Sequence, residues 1–287
     1  MDLSRGDGGA EADLRLRAIV TLAAALAASK ASAGLDDSVP VRATPVLAED
    51  FESDRGAVYR ILARDPRLTA VAGEGVGGGR ALRTTYVGGP MGSARVVHII
   101  PLGTAGTDYT LNYDVRFDRD FQFVQGGKLH GLGPTNVIAG GEKLEPDGWS
   151  ARVMWRSGGR AVTYTYYQDQ KDEYGDDGKP AGAFAFAQDR YYAISLHARL
   201  NSAAKRADGF VRLYVDGALV STQEGIRLRG TDGDKGLISR FLFSTFHGGN
   251  GPQWAPRHAA GGYADVHAFF DNIAVYRGER IRKRPGA

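Results

Sequence analysis

The segment SARVMWRSGGRAVTYTYYQ, residues 150–168, indicates the fold class of this chain. Its two halves, 150–156 and 161–168, are rich in the β-branched and aromatic residues that favour β-strands. The Ser-Gly-Gly-Arg sequence at 157–160 is typical of a turn between them. The segment therefore predicts an antiparallel β-hairpin.

The same strand pattern recurs along the chain, with few periodic helical segments. An Asp216-Gly217 pair predicts a second tight hairpin, because a type I′ turn needs the positive φ that Gly tolerates. Gly accounts for 40 of 287 residues, about twice its average usage, as in a protein rich in turns. We therefore expect an all-β protein, with residues 40–287 forming a single-domain β-jelly roll sandwich. The other segments with strand character are 94–100, 107–117, 191–200, 210–215 and 269–276.

Composition excludes several classes of function. Lys and Arg total 36 against 33 Asp and Glu, a formal charge of +3, so we expect neither a disordered polyelectrolyte nor a nucleic-acid partner. The chain has no Cys, which excludes disulfides, thiol nucleophiles and Cys-based zinc sites. Its six His are scattered without metal-ligand spacing, so no metal or other cofactor is expected.

Residues 1–33 resemble a signal for export. Arg15 and Arg17 precede an apolar run at 18–28, and Ala-Ser-Ala at 31–33 is a typical signal-peptidase site. A secreted or periplasmic location is therefore expected, with an amphipathic N-terminal helix as the alternative. The apolar run is too short to span a bilayer, so no membrane partner is expected.

The sequence argues against three familiar kinds of site: a dinucleotide-binding loop, a calcium loop and a retaining glycosidase site. The Gly-rich stretch at 73–78 matches a dinucleotide-binding fingerprint but lacks a surrounding βαβ unit, so we expect a loop. The acidic stretch at 172–178 lacks the alternate spacing of a calcium loop. No predicted strand carries the paired carboxylates that a retaining glycosidase requires.

A polar and aromatic group of residues stands out on neighbouring strands. Ser150 and Arg152 share one strand face, and Tyr164 and Tyr166 share another, because residues two apart on a strand point the same way. The turn at 157–160 brings these two faces into one surface. Lys128, on a Gly-rich segment just upstream, completes the group.

The spacing of these residues resembles that of polysaccharide lyase family 14, the alginate and glucuronan lyases. The steps from Lys128 through Ser150, Arg152, Tyr164 and Tyr166 are 22, 2, 12 and 2 residues, similar to the intervals between that family's Lys, Ser-x-Arg and Tyr-x-Tyr. The resemblance implies a jelly roll with a substrate groove on its concave sheet. Further segments that carry it are YTLNYDVRF at 109–117, GGKL at 126–129, FSTFHGGN at 243–250, WAP at 254–256 and FDNI at 270–273.

The sequence departs from this family at two positions. His130 follows Gly-Gly-Lys-Leu where Pro is common, and Leu144 lies near the place of a His that some members use.

The resemblance implies β-elimination on a uronic-acid polymer, with Lys128, Arg152, Tyr164 and Tyr166 as catalytic residues. Removing the C5 proton places charge on a carboxylate that is already negative, so a cation is needed there. Arg152 is expected to bind the carboxylate as a fork, and Lys128 to add a point charge. We expect a tyrosine to be the base, its pKa lowered by the two cations, and hence an alkaline activity optimum.

Stereochemistry narrows the expected substrate. Tyrosines on one strand face approach the sugar from one side, which favours syn elimination and thus mannuronate-rich alginate or glucuronan. Ser150, His130, His247 and Trp254 are expected to bind substrate, His130 because it lies two residues beyond Lys128 and so on its face if the strand is regular.

The expected partner is an anionic polysaccharide, bound by a monomer. The alternative function is a non-catalytic module that binds acidic polysaccharide through the same residues. A jelly-roll hydrolase whose carboxylates are not evident from the sequence is a weaker alternative.

Overall fold

A computed structural model describes residues 44–286 of the chain. The signal-like segment at 1–33 lies outside these residues, and its assignment stays a prediction. Within 44–286, none of the helical segments has the length and apolar character that crossing a membrane requires.

Residues 44–286 form strands joined by turns, with one short α-helix, α1 (Ala57–Leu62). The strands are β1 (Leu47–Glu49), β2 (Leu68–Ala72), β3 (Arg80–Gly89), β4 (Gly92–Ser93), β5 (Val96–Gly106), β6 (Asp108–Phe117), β7 (Gly126–Gly133), β8 (Ser150–Arg156), β9 (Ala161–Tyr166), β10 (Asp176–Asp177), β11 (Lys179–Pro180), β12 (Tyr191–Arg199), β13 (Gly209–Val215), β14 (Ala218–Ile226), β15 (Ile238–His247) and β16 (Asp265–Arg277).

These strands make two antiparallel sheets. The larger has the order β11-β14-β13-β12-β6-β16-β3-β2, with β1 on β16 and β4 on β3. The smaller has the order β10-β9-β8-β7-β15-β5. The non-consecutive neighbours within each sheet mean that the chain crosses between sheets, as in a jelly-roll sandwich. The predicted all-β jelly roll is thus confirmed.

Both predicted hairpins are confirmed. Strands β8 and β9 pair antiparallel on either side of the turn at 157–159, with Trp155 opposite Ala161. The pair β13 and β14 closes through Asp216 and Gly217, whose φ values of 51° and 87° suit a type I′ turn. The Gly-rich stretch at 73–78 forms a loop with a short 3₁₀ turn, as expected.

Successive side chains of β8 point alternately into the core and onto the outer face of the smaller sheet. Val153 and Trp155 face the other sheet and join the main hydrophobic core. Arg152 and Met154 point the opposite way, since successive strand residues face opposite sides of a sheet. Strand β9 follows the same rule, with Tyr164 and Tyr166 on the outer face in a small separate cluster with Met154.

A β-bulge in β7 interrupts this alternation next to the site. Lys128 lies opposite Met154, but Gly131 lies opposite Arg152, so three residue steps on β7 match two on β8. The extra residue turns both Leu129 and His130 into the core, where neither has exposed surface.

Candidate active site

The β8–β9 hairpin and β7 form the floor of a pocket of about 640 Å³ on the outer face of the smaller sheet. Arg152 lies directly opposite Tyr164, and Ser150 opposite Tyr166. The Lys128 Nζ lies 4.7 Å from the centre of the Tyr164 ring. The structure therefore brings Lys128, Arg152, Tyr164 and Tyr166 to one pocket, on the same side of the sheet.

Both tyrosines are deeply set in this floor. Their ring centres are 5.7 Å apart, edge to face, and the exposed fractions of Tyr164 and Tyr166 are 5% and 0%. Both nevertheless border the pocket, and both lie outside the main core of the sandwich.

The pocket is strongly cationic. Arg95 and Arg156 join Lys128 and Arg152 in its lining, and Glu142 is the only carboxylate among the described lining residues. Asp177 neutralises part of this charge through a salt bridge with Arg156. A site with this excess of positive charge suits an anionic ligand.

Burial and neighbouring charges change the ionisation of Lys128. Burial, followed by repulsion from Arg152, Arg156 and Arg95, lowers its pKa from 10.5 to about 7. The amine is therefore free in a large fraction of molecules near neutral pH, so Lys128 can accept a proton there.

For Tyr164, the sequence-based expectation of a lowered pKa is wrong. Burial raises the pKa of this phenol well above 10, and the opposing effect of Arg156 is smaller. The Tyr164 hydroxyl consequently stays protonated at neutral pH.

Two polar walls bound the pocket. One contains the turn at 139–142, whose Gly141 N–H donates a hydrogen bond to the Tyr166 hydroxyl oxygen at 3.3 Å. Tyr174, 44% exposed, also lines the pocket. The other wall carries Trp254, half-buried after a short 3₁₀ turn at Pro252–Trp254. Its indole lies directly against the backbone of Gly249, leaving no room for a Cβ there. Trp254 thus lines the pocket, and its expected contact with substrate stays a prediction.

Ser150 is on the expected face but is covered. It has no exposed surface, and its Oγ donates a hydrogen bond to the Ile138 carbonyl at 2.7 Å. Ser150 therefore holds the segment leading to the 139–142 turn, and it does not line the pocket.

The expectation that His130 binds substrate is wrong, because the bulge in β7 turns its side chain away from the pocket. Its ring centre lies 4.2 Å from that of Phe243 and 4.4 Å from that of Phe270. Burial in this apolar environment lowers the pKa of His130 to about 3, so the imidazole is neutral.

His247 is also in the core, so its predicted contact with substrate is wrong as well. Phe246 faces the pocket, and the next residue on the strand must face the opposite side. The His247 ring stacks on Phe121, and its Nε2 donates a hydrogen bond to the Gln122 carbonyl at 2.7 Å. Burial lowers the pKa of His247 to about 4.

Several lining residues were missed from the sequence. Arg156 had a readable signal, because it continues the alternate row of Arg152 and Met154 on β8. Arg95 lies in the predicted strand segment 94–100, but only the pairing of the folded sheet places it at the pocket. Glu142 lies in a loop without periodicity, next to Gly141, and only the folded chain places it there. Among the described residues, no group of three His, Asp or Glu side chains is arranged to hold a metal ion.

The two-sheet sandwich thus carries a cationic, tyrosine-lined pocket on one outer face, and the charge of this pocket suits an anionic ligand. The chain belongs to the polysaccharide lyase 14 family, whose model matches residues 91–273. No curated protein sequence matches the chain.

Solved structures share the fold. The marine PL-14 alginate lyase from Aplysia kurodai is 23% identical, with a TM-score of 0.63, covering 82% of this chain and 100% of its own. A variant of alginate lyase Aly36B is 25% identical, with a TM-score of 0.57 over 70% of this chain and 82% of its own. In this variant a lysine and a tyrosine are replaced by alanine, and the structure contains alginate tetrasaccharide. The endo-β-1,4-glucuronan lyase from the fungus Trichoderma reesei is 15% identical, with a TM-score of 0.53 over 76% and 90%.

Proposed function

We propose that this chain is a polysaccharide lyase that cleaves a uronic-acid polymer by β-elimination. The observation that carries the proposal is the placement of Lys128, Arg152 and two tyrosines on one pocket floor. The family membership and the alginate-bound relative, with its lysine and tyrosine replaced, support it. A hydrolase of the retaining type would need two facing carboxylates about 5 Å apart, and Glu142 is the only one in the described lining.

In the proposed mechanism, Arg152 binds the uronate carboxylate. Its guanidinium is buried and always charged, so it neutralises the negative charge that spreads onto the carboxylate as the C5 proton leaves. Its planar fork also fixes the orientation of the sugar ring. The bulge helps here, because Gly131 opposite Arg152 has no side chain to compete for the same space.

The Lys128 amine accepts the C5 proton. The electron pair of the C5–H bond forms the C4–C5 double bond, and the C4–O bond breaks. The Tyr166 hydroxyl gives its proton to the departing oxygen, leaving an ammonium and a phenolate that later exchange protons with solvent. Tyr164 remains a neutral phenol throughout, since burial keeps its pKa high.

These roles differ from those expected from the sequence, which made tyrosine the base and lysine a point charge. The reason is the depth of the site. Removing water raises the pKa of a phenol and lowers that of an ammonium, so burial makes the tyrosine a worse base and the lysine a better one.

The substrate class that we propose is mannuronate-rich alginate or glucuronan. Lys128 and Tyr166 project from the same face of one sheet, so proton acceptor and donor approach the sugar from the same side. In these two polymers the C5 hydrogen and the C4 oxygen lie on one side of the ring, which matches syn elimination. In polyguluronate they lie on opposite sides.

Incubation of the protein with polymannuronate, polyguluronate, glucuronan and hyaluronan tests this proposal. We expect the ultraviolet absorbance of an unsaturated uronate to rise with the first polymer or with glucuronan. Lys128→Gln should abolish the rise, whereas Lys179→Gln, on the exposed strand β11, should not. Binding of polymer without unsaturated product would instead identify a non-catalytic binding module, and new reducing ends without absorbance would identify a hydrolase.

A further inference from the structure

We propose that the backbone N–H of Gly141 stabilises the negative charge that forms on the Tyr166 oxygen when this tyrosine gives up its proton. The inference rests on the proposed lyase function and adds a positioning residue to it. It comes from the geometry of the 139–142 turn, Ala139-Gly140-Gly141-Glu142.

This turn is closed by two hydrogen bonds. The Glu142 N–H donates to the Ala139 carbonyl at 3.1 Å, and the Ala139 N–H donates to Glu142 Oε2 at 2.9 Å. Gly140 and Gly141, its central residues, have φ values of 64° and 86°. Two positive φ angles within such a closure are the signature of a type I′ turn.

A turn of this type leaves the amide of its third residue unused. Here that amide belongs to Gly141, and it donates to the Tyr166 hydroxyl oxygen. An amide N–H can only donate, so the Tyr166 oxygen is an acceptor on this side, and its own O–H is free for another partner. The turn therefore holds the Tyr166 oxygen in position from its acceptor side.

The contact has the features of an oxyanion-binding donor. Tyr166 has no exposed surface and the hydrogen bond is part-buried, so water screens the N–H dipole less than at an open surface. A donor at the oxygen stabilises a phenolate more than a phenol. Because the turn holds the N–H in place before the reaction, no reorganisation is needed as charge develops.

Position 141 needs glycine mainly because of its positive φ, and less because of the space around a Cβ. A Cβ there would lie 2.6 Å from Glu173 Oε1, the flexible end of a side chain that can move aside. The φ of 86° is the harder constraint, because β-branched residues avoid it whereas Asn tolerates it.

This difference supplies a matched pair of variants. Gly141→Asn and Gly141→Val both introduce a Cβ beside Glu173, but only Asn readily retains the positive φ. Rates would be measured on the preferred polymer over the full pH range in which the protein is folded. Replacement of Tyr166 by fluorotyrosine, a more acidic phenol, identifies the limb of the profile that reports Tyr166.

We expect fluorotyrosine to move the limb at high pH downward. Gly141→Val should move that limb upward and lower kcat by up to about tenfold, because the phenolate loses a hydrogen-bond donor. Gly141→Asn should behave like the parent.

Each contrary result is decisive. An equal effect of Val and Asn, an unchanged limb in the Val variant, or no response to fluorotyrosine overturns the role of Gly141 while the parent remains an active lyase. A parent that forms no unsaturated product overturns the proposed function itself, and this inference with it.

Discussion

Lys128 gives the sharpest test of the proposed chemistry. At the ordinary lysine pKa of 10.5, about one molecule in three thousand would carry a free amine at pH 7. With the pKa lowered to about 7, about half of the molecules do. As pH rises through 7 the free amine increases, so kcat/KM should rise through the same range, because this parameter reports the free enzyme.

Two substitutions examine this expectation. Lys128→Arg keeps the charge but cannot lose its proton, so kcat/KM should fall by about a hundredfold or more. Arg95→Gln removes one of the charges that oppose protonation of Lys128, so the rising limb should move to higher pH. Lys179→Arg, on the exposed strand β11, is the matched control.

The assay is the initial rate of unsaturated product formation at low substrate concentration, over a series of pH values. Thermal unfolding of each variant shows whether the fold is retained. A profile that is flat across the neutral range, or that falls as pH rises through 7, would refute Lys128 as the proton acceptor. Full activity in Lys128→Arg would do the same.

Three further predictions follow from the placement of individual side chains. Arg152→Lys should lower kcat/KM about a hundredfold, because lysine lacks the planar fork that binds the carboxylate. Arg212→Lys, on β13, is the control, and equal kcat/KM values for the two variants would contradict this role of Arg152. His130→Leu should leave KM unchanged and alter the free energy of unfolding by less than about 1.5 kcal/mol, because it exchanges a neutral ring for an apolar side chain among Phe rings. A raised KM in a stable variant would show that His130 contacts the substrate after all. Trp254→Ala should raise KM about fivefold, about 1 kcal/mol of lost aromatic contact, whereas Tyr263→Ala, absent from the pocket lining, should not; no change in KM would show that the indole does not contact the polymer.

The local signals of this chain were sufficient for its architecture and for the central part of its site. Alternation and turn chemistry act over a few residues, so the 150–168 hairpin and the shared face of Arg152 and Tyr164 were readable directly. Lys128 was singled out on its Gly-rich segment, and the family spacing supported its place in the group. No sequence signal placed Gly141 or Glu142, because loops carry no period from which position can be inferred.

Tertiary structure decided which side chains reach the pocket and how they ionise. A single extra residue in β7 reverses alternation, so His130 lies in the core although simple counting puts it beside Lys128. Ionisation depends on how much water and charge surround a group, and those surroundings come from strands distant in sequence. For this reason the sequence alone predicted Lys128, Arg152 and the two tyrosines as site residues, whereas only the folded chain shows the burial that lowers the pKa of Lys128 and raises that of Tyr164.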